Sequence, residues 1–277
     1  MTVSRRRRFA VLAATIAVIA VLCAACGDGD ETGRSKAKTL VVGTSADFPP
    51  LTFRDPADPT KLIGFEIRMV ASLMRHLGYK HRFEAIPFNG LIPAIQGGHV
   101  DLVVSDVYNT PARREVVDFV DYMQAGYGVL IRPERAGEFQ SGYLSLCGKA
   151  LGVLEGSSPQ AATAAKGSKE CTDAAQPAIK VQTYPATVDV LQQINNGRLD
   201  AMILDINALS YLQHENPTQY KLAFEDKSTR VKVGVVLKKD SPLKPEIEEA
   251  VRWYISSGEY QKEAKKWALP TDALLST

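Results

Sequence analysis

The sequence is poor in the residue types that bind transition metals or serve as strong nucleophiles. It contains four histidines and four cysteines in 277 residues. The histidines are scattered, at positions 76, 81, 99 and 214, and none lies at ligand spacing from a cysteine. Because zinc and related metals need several such side chains together, we expect no metal site and no cofactor, and we assign no chemistry to any histidine.

A strong net charge is also lacking. The formal net charge at pH 7 is +2, and four of the arginines lie together at residues 5–8. Without residues 1–25 the chain has 29 basic and 31 acidic residues, a net charge of −2. Nucleic-acid-binding domains carry a clustered basic excess. The composition therefore argues against a nucleic acid as partner.

The N-terminus has the pattern of an export signal. The arginines at 5–8 precede an apolar run over residues 9–22, and Cys-Ala-Ala-Cys follows at 23–26. A basic start, an apolar stretch and small residues predict a secretory signal peptide over residues 1–25. The two alanines before Cys26 resemble a bacterial lipobox, whose cysteine is acylated after cleavage, although Cys23 stands where leucine is usual. We predict lipidation at Cys26 and a flexible lipoprotein tether over residues 26–37.

An uncleaved membrane anchor is the alternative, because about 18 near-apolar residues can just span a bilayer. Either way, the body of the chain lies outside the cytoplasm, and the lipidated form is anchored to the outer face of the cell membrane. Two cysteines remain in the body, Cys147 and Cys171. In an oxidising compartment such a pair most simply forms a disulfide.

An internal repeat is the most informative feature of the body. Residues 91–106 and 190–205 share one pattern of helix, glycine stop, buried strand and terminal aspartate. A shift of 99 residues aligns Gly98 with Gly197, Asp101 with Asp200, and Asp106 with Asp205. Alternating strands and helices predict parallel α/β units, one lobe for each copy. Ligands of open α/β sheets bind outside the carboxyl ends of the strands, where Asp106 and Asp205 stand.

Two helix starts lie at the same strand ends. After a strand at 100–104 and a polar turn, Thr110 is predicted as N-cap with Pro111 in the first helical position. Arg113 then falls in the first turn, where the macrodipole disfavours a cation. If its side chain folds inward beside the free N–H groups it makes an anion site; the alternative is a solvated surface arginine. Ser158 is predicted as a second N-cap.

The chain resembles the extracellular solute-binding proteins of ABC importers, in the polar amino-acid branch, over about residues 38–270. The motifs that carry the resemblance are, in chain order, G-T-S-A-D-F-P-P at 43–50, G-F-E-I-R-M-V at 64–70, F-N-G-L-I-P-A-I-Q-G-G-H-V-D at 88–101, S-D-V-Y-N-T-P-A-R at 105–113, C-G-K-A-L-G-V-L-E-G-S-S at 147–158 and G-R-L-D-A-M-I-L-D at 197–205. Their combination, in this order, is specific to that family.

The resemblance implies a two-lobed type II periplasmic-binding-protein fold, in which two α/β lobes joined by two crossover strands close on a ligand. We expect lobe 1 over residues 38–132 plus 230–277 and lobe 2 over residues 133–229. The crossings are expected near residues 132–138 and 227–230. The implied function is non-catalytic: a monomeric lipoprotein captures an amino acid and delivers it to the permease subunits of an ABC importer.

The resemblance also implies the binding residues. Arg113 occupies the place of the arginine that grips the ligand's α-carboxylate, and Asp205 that of the acid that binds the α-ammonium. An aromatic pair that sandwiches the ligand side chain is matched by Phe48 and Phe88. Hydrogen bonds to the carboxylate are expected from the hydroxyl and backbone groups of Ser105, Ser157 and Ser158.

Asp106 and Tyr108 depart from the family pattern, because small residues are common at both places beside the clamp. Asp106 adds a carboxylate to a pocket that already contains Asp205. One hypothesis is that Asp106 contacts a cationic or polar side chain, which favours a basic amino acid. The alternative is that backbone N–H groups of its own turn bind it.

Two other functions fit the same fold. A sensor or receptor module reports ligand occupancy to a partner, and a retained N-terminal helix would favour it. Some members of the family are dehydratases that act on cyclohexadienyl acids. Catalysis needs a positioned acid or base, for which Asp106 or Asp205 could serve.

Overall fold

The structure, a computed structural model, describes residues 36–140 and 142–276, with backbone only at residues 36 and 37. The predicted signal peptide, the lipidation site Cys26 and most of the predicted tether lie outside these residues. The strands are β1 (Lys36–Thr44), β2 (Asp47–Phe48), β3 (Thr52–Arg54), β4 (Leu62–Ile63), β5 (Tyr79–Ala85), β6 (Leu102–Val103), β7 (Val117–Ile131), β8 (Ala150–Leu154), β9 (Lys180–Tyr184), β10 (Ala201–Asp205) and β11 (Lys221–Lys238). The helices are α1 (Phe65–Leu77), α2 (Leu91–Gln96), α3 (Pro111–Val116), α4 (Ser158–Asp173), α5 (Thr187–Asn195), α6 (Ile206–Glu215), α7 (Lys244–Ser256) and α8 (Glu259–Lys266).

One sheet runs through the whole body in the order β5-β1-β6-β11-β7-β10-β8-β9, and β2, β3 and β4 form a small second sheet. The outer strands are parallel at both ends: β1 pairs with β5 and β6, and β8 pairs with β9 and β10. The two long central strands, β7 and β11, are antiparallel to each other. We call the β5-β1-β6 side the first lobe and the β10-β8-β9 side the second lobe. The predicted two-lobed α/β fold with two crossover strands is confirmed.

The crossing points follow from the partners of the central strands. In β7, residues 117–125 pair with β11 and not with β10, whereas residues 127–130 pair with both β11 and β10 of the second lobe. This strand therefore passes from the first lobe to the second at Gly126, before the residues 132–138 at which the crossing was predicted. The strand itself continues unbroken, and only its pairing with β10 marks the change of lobe. In β11 the register is interrupted between Asp226 and Val231, around the predicted 227–230. The lobe boundaries themselves stay a prediction.

Helix α1 shows how the sequence pattern builds the first lobe. Its residues Phe65, Met69, Val70 and Leu73 are buried as the apolar spacing predicts. Each such side chain contributes roughly 1.5–3 kcal/mol by leaving water. Gly78 ends the helix in the left-handed conformation, φ 72°, and its N–H caps the last turn. The chain then enters β5 directly at Tyr79.

The sequence repeat is also a structural repeat. Gly98 and Gly197 both have positive φ, 74° and 70°, where each helix turns into the next strand. Asp101 Oδ2 accepts the N–H of Val41 at 2.8 Å. In the second copy, Asp200 Oδ2 accepts the N–H of Ala150 at 2.7 Å. Each aspartate therefore ties the start of its own strand to the neighbouring parallel strand.

The predicted disulfide between Cys147 and Cys171 is present, with an S–S distance of 2.11 Å. It closes a segment of 24 residues onto α4, and a cross-link of this span stabilises a fold by about 3 kcal/mol. Strand β9 and helix α6 were not predicted, since neither has a distinctive apolar period. None of the helices in the described part of the chain is long and apolar enough to cross a lipid bilayer.

Candidate functional site

A small cavity lies between the lobes, at the carboxyl ends of the strands that the repeat marks. It encloses about 20 Å³, room for about one water molecule. Its lining residues are Ser45, Phe48, Phe88, Ser105, Asp106, Tyr127, Leu154, Ser157, Gln160, Thr187 and Asp205. Six of the nine predicted binding residues are in this set. Tyr108, Arg113 and Ser158 are not, although the first two touch residues that are.

Arg113 lies inward, as the anion-site interpretation requires. Thr110 caps α3 as predicted, accepting the N–H of Arg113 at 3.4 Å, and Pro111 is in the first turn. The Arg113 side chain is 9% exposed, and its guanidinium carbon lies 5.8 Å from the centre of the Phe88 ring. Its Nη1 donates to the carbonyl oxygen of Tyr108 at 3.1 Å. Burial lowers the pKa of this guanidinium, which nevertheless stays charged.

The neighbouring Arg114 is a solvated surface arginine, which was the alternative interpretation for Arg113. Its Nη1 donates to the backbone and side-chain oxygens of Asn109 at 3.0 and 2.9 Å, at an exposed place. Arg113 instead reaches across to the second lobe, where its Nη2 lies 3.5 Å from the carbonyl oxygen of Gly156. Two adjacent positions of one helix therefore hold a buried arginine and a solvated one.

Asp205 ends β10 and is the N-cap of α6. Its Oδ1 accepts the N–H groups of Asn207 and Ala208, at 2.8 and 3.3 Å. Its Oδ2 accepts the hydroxyl of Tyr108 at 2.6 Å. Burial raises the pKa of Asp205 to about 6, although these hydrogen bonds act in the opposite direction. The capping role was not predicted, since the following helix was not.

Tyr108 connects the lobes at this place. Its ring stacks on Tyr127, with 4.8 Å between centroids and 18° between planes, and it is 2% exposed. Its hydroxyl oxygen, which donates to Asp205, also lies 3.1 Å from the carbonyl oxygen of Gly126. A large aromatic side chain therefore fills a place where the family pattern has a small residue.

Asp106 is held by its backbone and not by its carboxylate. The residue has a φ of 50°, and its N–H donates to Glu66 Oε1 at 2.8 Å. Its own Oδ1 is buried and has no hydrogen-bond partner among the described residues. Backbone N–H groups of the turn therefore do not bind this oxygen. Burial, together with the charges of Asp205 and Glu66, raises the pKa of Asp106 well above its usual range, whereas Arg113 acts to lower it.

Glu66 is a functional neighbour that was not predicted. It is fully buried in α1, where Oε1 accepts the Tyr122 hydroxyl as well as the Asp106 N–H, and Oε2 has no partner in the described chain. Burial raises its pKa to about 7. A signal existed: Glu66 precedes Met69 and Val70 by three and four residues, so it lies on the apolar face of the helix.

The aromatic and hydroxyl side chains complete the walls. Phe48 and Phe88 both line the cavity from the first lobe. Ser105 Oγ accepts the N–H of Ser45 at 3.0 Å and donates to its Oγ at the same distance. From the second lobe, Ser157 Oγ lies 3.4 Å from the Tyr127 hydroxyl oxygen.

The predicted N-cap of the second helix is shifted by one residue. Ser157, not Ser158, precedes α4, because the carbonyl oxygen of Ser157 accepts the N–H of Ala161. Neither serine caps the helix with its side chain. Pro159 accordingly falls in the second helical position. Ser158 starts the helix and does not line the cavity.

A further contact crosses the cleft at its rim. Asp47 Oδ2, on the first lobe, accepts the N–H of Thr187 at 3.1 Å, at the start of α5 on the second lobe. The N-cap residue of α5 is Ala186, which offers no side-chain acceptor. The carboxylate of one lobe therefore completes a helix end of the other.

Together these groups form a site with a cation at one end and carboxylates at the other, and with aromatic walls between them. A zwitterion taken from water needs such opposite charges, because an unpaired buried charge is costly. Among the described residues, no group of three or more His, Cys, Asp or Glu side chains is arranged to hold a metal ion.

Comparison with known proteins agrees with the family resemblance of the sequence motifs. Residues 40–270 match the bacterial extracellular solute-binding proteins, family 3. An arginine-binding extracellular protein of Bacillus subtilis is 30% identical over 258 residues, 93% of this chain and 95% of the relative.

Two solved structures are also similar. The arginine-, lysine-, histidine-binding protein of the thermophilic bacterium Geobacillus stearothermophilus is 26% identical, with a TM-score of 0.72, over 84% of this chain and 97% of that one. An ancestral amino acid-binding protein described as a precursor of cyclohexadienyl dehydratase is 27% identical, with a TM-score of 0.73, over 83% and 95%. The chain belongs to the bacterial extracellular solute-binding proteins of family 3, as its ordered motifs predicted.

Proposed function

We propose that the protein captures an amino acid, polar and in particular basic, between its two lobes and presents it to an ABC importer. The observation that carries the proposal is the buried, inward Arg113, which stands with Asp106 and Asp205 beside one enclosed cavity. A guanidinium binds a carboxylate through two parallel hydrogen bonds, and a buried carboxylate binds an ammonium group. Free α-amino acids carry both groups.

The remaining walls suit the rest of such a ligand. Phe48 and Phe88 provide flat apolar surfaces for its side chain, and Ser105 and Ser157 provide hydroxyl and backbone groups for its carboxylate. A basic side chain fits the excess of buried carboxyl groups over Arg113. The names of the relatives, which include arginine, lysine and histidine among bound amino acids, support the same class.

Capture requires the lobes to move. The cavity has room for about one water molecule, so an amino acid enters only when the lobes separate around β7 and β11. The Tyr108–Asp205 and Asp47–Thr187 hydrogen bonds cross the cleft and break on opening. The closed form buries the ligand completely, which suits a carrier that releases it only to a partner.

The cellular setting completes the proposal. The body lies outside the cytoplasm as a monomer, anchored to the outer face of the cell membrane by a lipid on Cys26 after removal of residues 1–25. The alternative is a sensor module of the same fold with a retained N-terminal helix. Mass spectrometry of the membrane-associated protein distinguishes them: an acylated N-terminal Cys26 supports the carrier, and an intact N-terminus supports the sensor.

A thermal-shift screen of the body against the proteinogenic L-amino acids tests the function. An amino acid at about 100 times its dissociation constant adds about 2.7 kcal/mol to the free energy of unfolding. We expect basic amino acids to give the largest shifts and dicarboxylates without an amine to give none. Shifts by no amino acid would contradict the proposal.

A matched pair of arginine variants locates the site. Arg113→Ala removes the proposed carboxylate partner, and losing one partner of a buried charge pair weakens binding by about 2–5 kcal/mol. Arg114→Ala, on the exposed face of the same helix, is the control and should bind as the wild type does. Equal affinities of the two variants in calorimetry would refute the role of Arg113.

The second candidate function is that of an enzyme. The similarity to a precursor of cyclohexadienyl dehydratase favours it. The pKa of Asp205, raised to about 6, also favours it, because this carboxyl group can then donate a proton near neutral pH. Incubation with a cyclohexadienyl acid tests it. Ultraviolet absorption of an aromatic product that is lost in Asp205→Asn would establish the activity, and a flat trace at high protein concentration supports the carrier.

A further inference from the structure

The two aspartates at the cavity differ in how the protein already uses them. Both carboxylate oxygens of Asp205 accept hydrogen bonds from the chain itself: Oδ1 from two N–H groups of α6, and Oδ2 from the Tyr108 hydroxyl at 2.6 Å. Asp205 is 1% exposed. An ammonium group could reach Oδ2 only by displacing Tyr108.

In the closed arrangement of the lobes, in which a bound ligand is held, Tyr108 is poorly placed to leave. Its ring is stacked on Tyr127 and buried, and its hydroxyl oxygen has a second neighbour in the carbonyl oxygen of Gly126 at 3.1 Å. Removing it from Asp205 would expose an aromatic ring and leave Asp205 Oδ2 without its donor. The Tyr108 hydroxyl therefore stands where a ligand amine would otherwise bind Asp205.

Asp106 has the opposite arrangement. Its Oδ1 is buried without a hydrogen-bond partner among the described residues, and the residue lines the same cavity as Asp205. The positive φ of 50° and the N–H bond to Glu66 Oε1 hold the backbone in place. A buried carboxylate oxygen with no donor is costly until a donor or a cation reaches it.

We propose that Asp106, and not Asp205, binds the α-ammonium group of the ligand, because the Tyr108 hydroxyl already occupies Asp205. This inference rests on the proposed capture of an amino acid and names how the same site recognises it. Arg113 and Asp106 belong to one segment of the first lobe. That lobe therefore binds both charged ends of the amino acid, and Tyr108 with Asp205 closes the second lobe over it.

Glu66 does not compete with Asp106 for the amine. Its Oε1 is occupied by the Asp106 N–H and the Tyr122 hydroxyl, and the residue is fully buried and does not line the cavity. The role of Glu66 is to hold the turn that presents Asp106. The cavity-lining carboxylates are consequently Asp106 and Asp205, which makes them a matched pair for substitution.

Asp106→Asn and Asp205→Asn are the decisive variants, measured by calorimetry with the amino acids that stabilise the wild type. Asparagine keeps the shape, and it tolerates the positive φ at position 106. We expect Asp106→Asn to weaken binding by about 100-fold or more. Asp205→Asn should weaken binding by about tenfold or less and should lower the melting temperature of the ligand-free protein, because it disturbs the α6 cap.

A second readout isolates the ammonium group. The wild type should bind L-arginine at least about 100-fold more tightly than 5-guanidinopentanoate, which lacks only the α-ammonium. In Asp106→Asn this preference should fall to about tenfold or less. The reason is that the α-ammonium group contributes little to binding once its partner, the Asp106 carboxylate, has been removed, as a double-mutant cycle measures. The same comparison with L-glutamine and 4-carbamoylbutanoate serves if L-arginine does not bind.

The outcomes separate the inference from the function on which it rests. If no amino acid binds the wild type, both fail. If amino acids bind and Asp205→Asn removes the preference for the ammonium group while Asp106→Asn keeps it, only the inference fails. It also fails if Asp106→Asn weakens L-arginine and 5-guanidinopentanoate equally, since Asp106 would then bind the guanidinium side chain.

Discussion

The two copies of the repeat use their first aspartate in the same way. Asp101 and Asp200 each accept a backbone N–H from the first strand of their own lobe. Each also pairs with a basic side chain, Lys38 in one case and Arg135 in the other. The backbone before them is the same, with a left-handed glycine in each copy. Identical local conformation therefore produces an identical role.

Five residues further on, the copies differ. Asp205 continues straight into α6 and caps it with Oδ1, so this oxygen is used inside its own lobe. Asp106 turns through a positive φ into a loop that reaches α3 only at Pro111, so its carboxylate has no helix end to cap. The same residue type at the same strand end therefore becomes a structural cap in one lobe and an unsatisfied acceptor in the other. The conformation of the chain immediately after each aspartate decides its role.

The largest expected stability effect comes from removing the cap. Asp205→Ala deletes the N-cap of α6 and the carboxylate oxygen that accepts the Tyr108 hydroxyl, so we expect a loss of about 2–5 kcal/mol in the free energy of unfolding. Urea denaturation without ligand measures it. Asp106→Asn should change the same quantity by less than about 1 kcal/mol. Equal losses would mean that the two aspartates play equivalent structural roles.

Stability should also fall as the pH rises. Burial raises the pKa of Glu66 to about 7, so the folded state favours its protonated form. The stability from this shift is fully present below the unfolded-state pKa, near 4.5, and is lost as the pH rises through about 7. Its size is on the order of 3 kcal/mol, and Asp106 and Asp205, whose pKa values are also raised, act in the same direction.

Urea denaturation across this pH range checks the sign. Glu66→Gln keeps the shape and cannot ionise, so its unfolding free energy should depend less on pH than that of the wild type. Arg113 opposes the effect by favouring ionised Asp106, so Arg113→Ala should steepen the dependence. Stability that increases from about pH 4.5 to about pH 7 would contradict the protonated state of the buried carboxyl groups.

The smallest expected stability loss concerns the first aspartate of each copy, which has the same role in both. Asp101→Ala and Asp200→Ala each remove one hydrogen bond to a strand N–H, so each should cost about 1 kcal/mol. Their losses should agree within about 0.5 kcal/mol, because the accompanying ion pairs are partly exposed and contribute little. A much larger loss in one variant would show that the repeat is not equivalent at this position.

Much of the fold could be predicted because it depends on local patterns. The apolar period of α1, the glycine stops and the strand at residues 150–154 are readable from a short stretch of chain, and the structure agrees with them. The crossing in β7 could not be read in this way. A strand shows its own apolar pattern but not the point at which its neighbour changes, and Gly126 carries no signal of it.

Part of the site could likewise be predicted from the sequence and part could not. The inward direction of Arg113 was one of two interpretations of a helix start, and the family motif at residues 105–113 favoured it. The hydrogen bond between Tyr108 and Asp205 joins residues 97 positions apart, and no local pattern contains it. Glu66 lay within reach of sequence reasoning, because its spacing to Met69 and Val70 places a carboxyl on a buried face.

The sequence by itself determined the family, the two α/β lobes and the set of charged residues that meet at the strand ends, because periodicity and repeated motifs act over short distances along the chain. The tertiary structure alone decided which of these charges are already satisfied. That outcome depends on which donors the two lobes bring together, and it leaves Asp205 occupied by Tyr108 and Asp106 free to bind a cation.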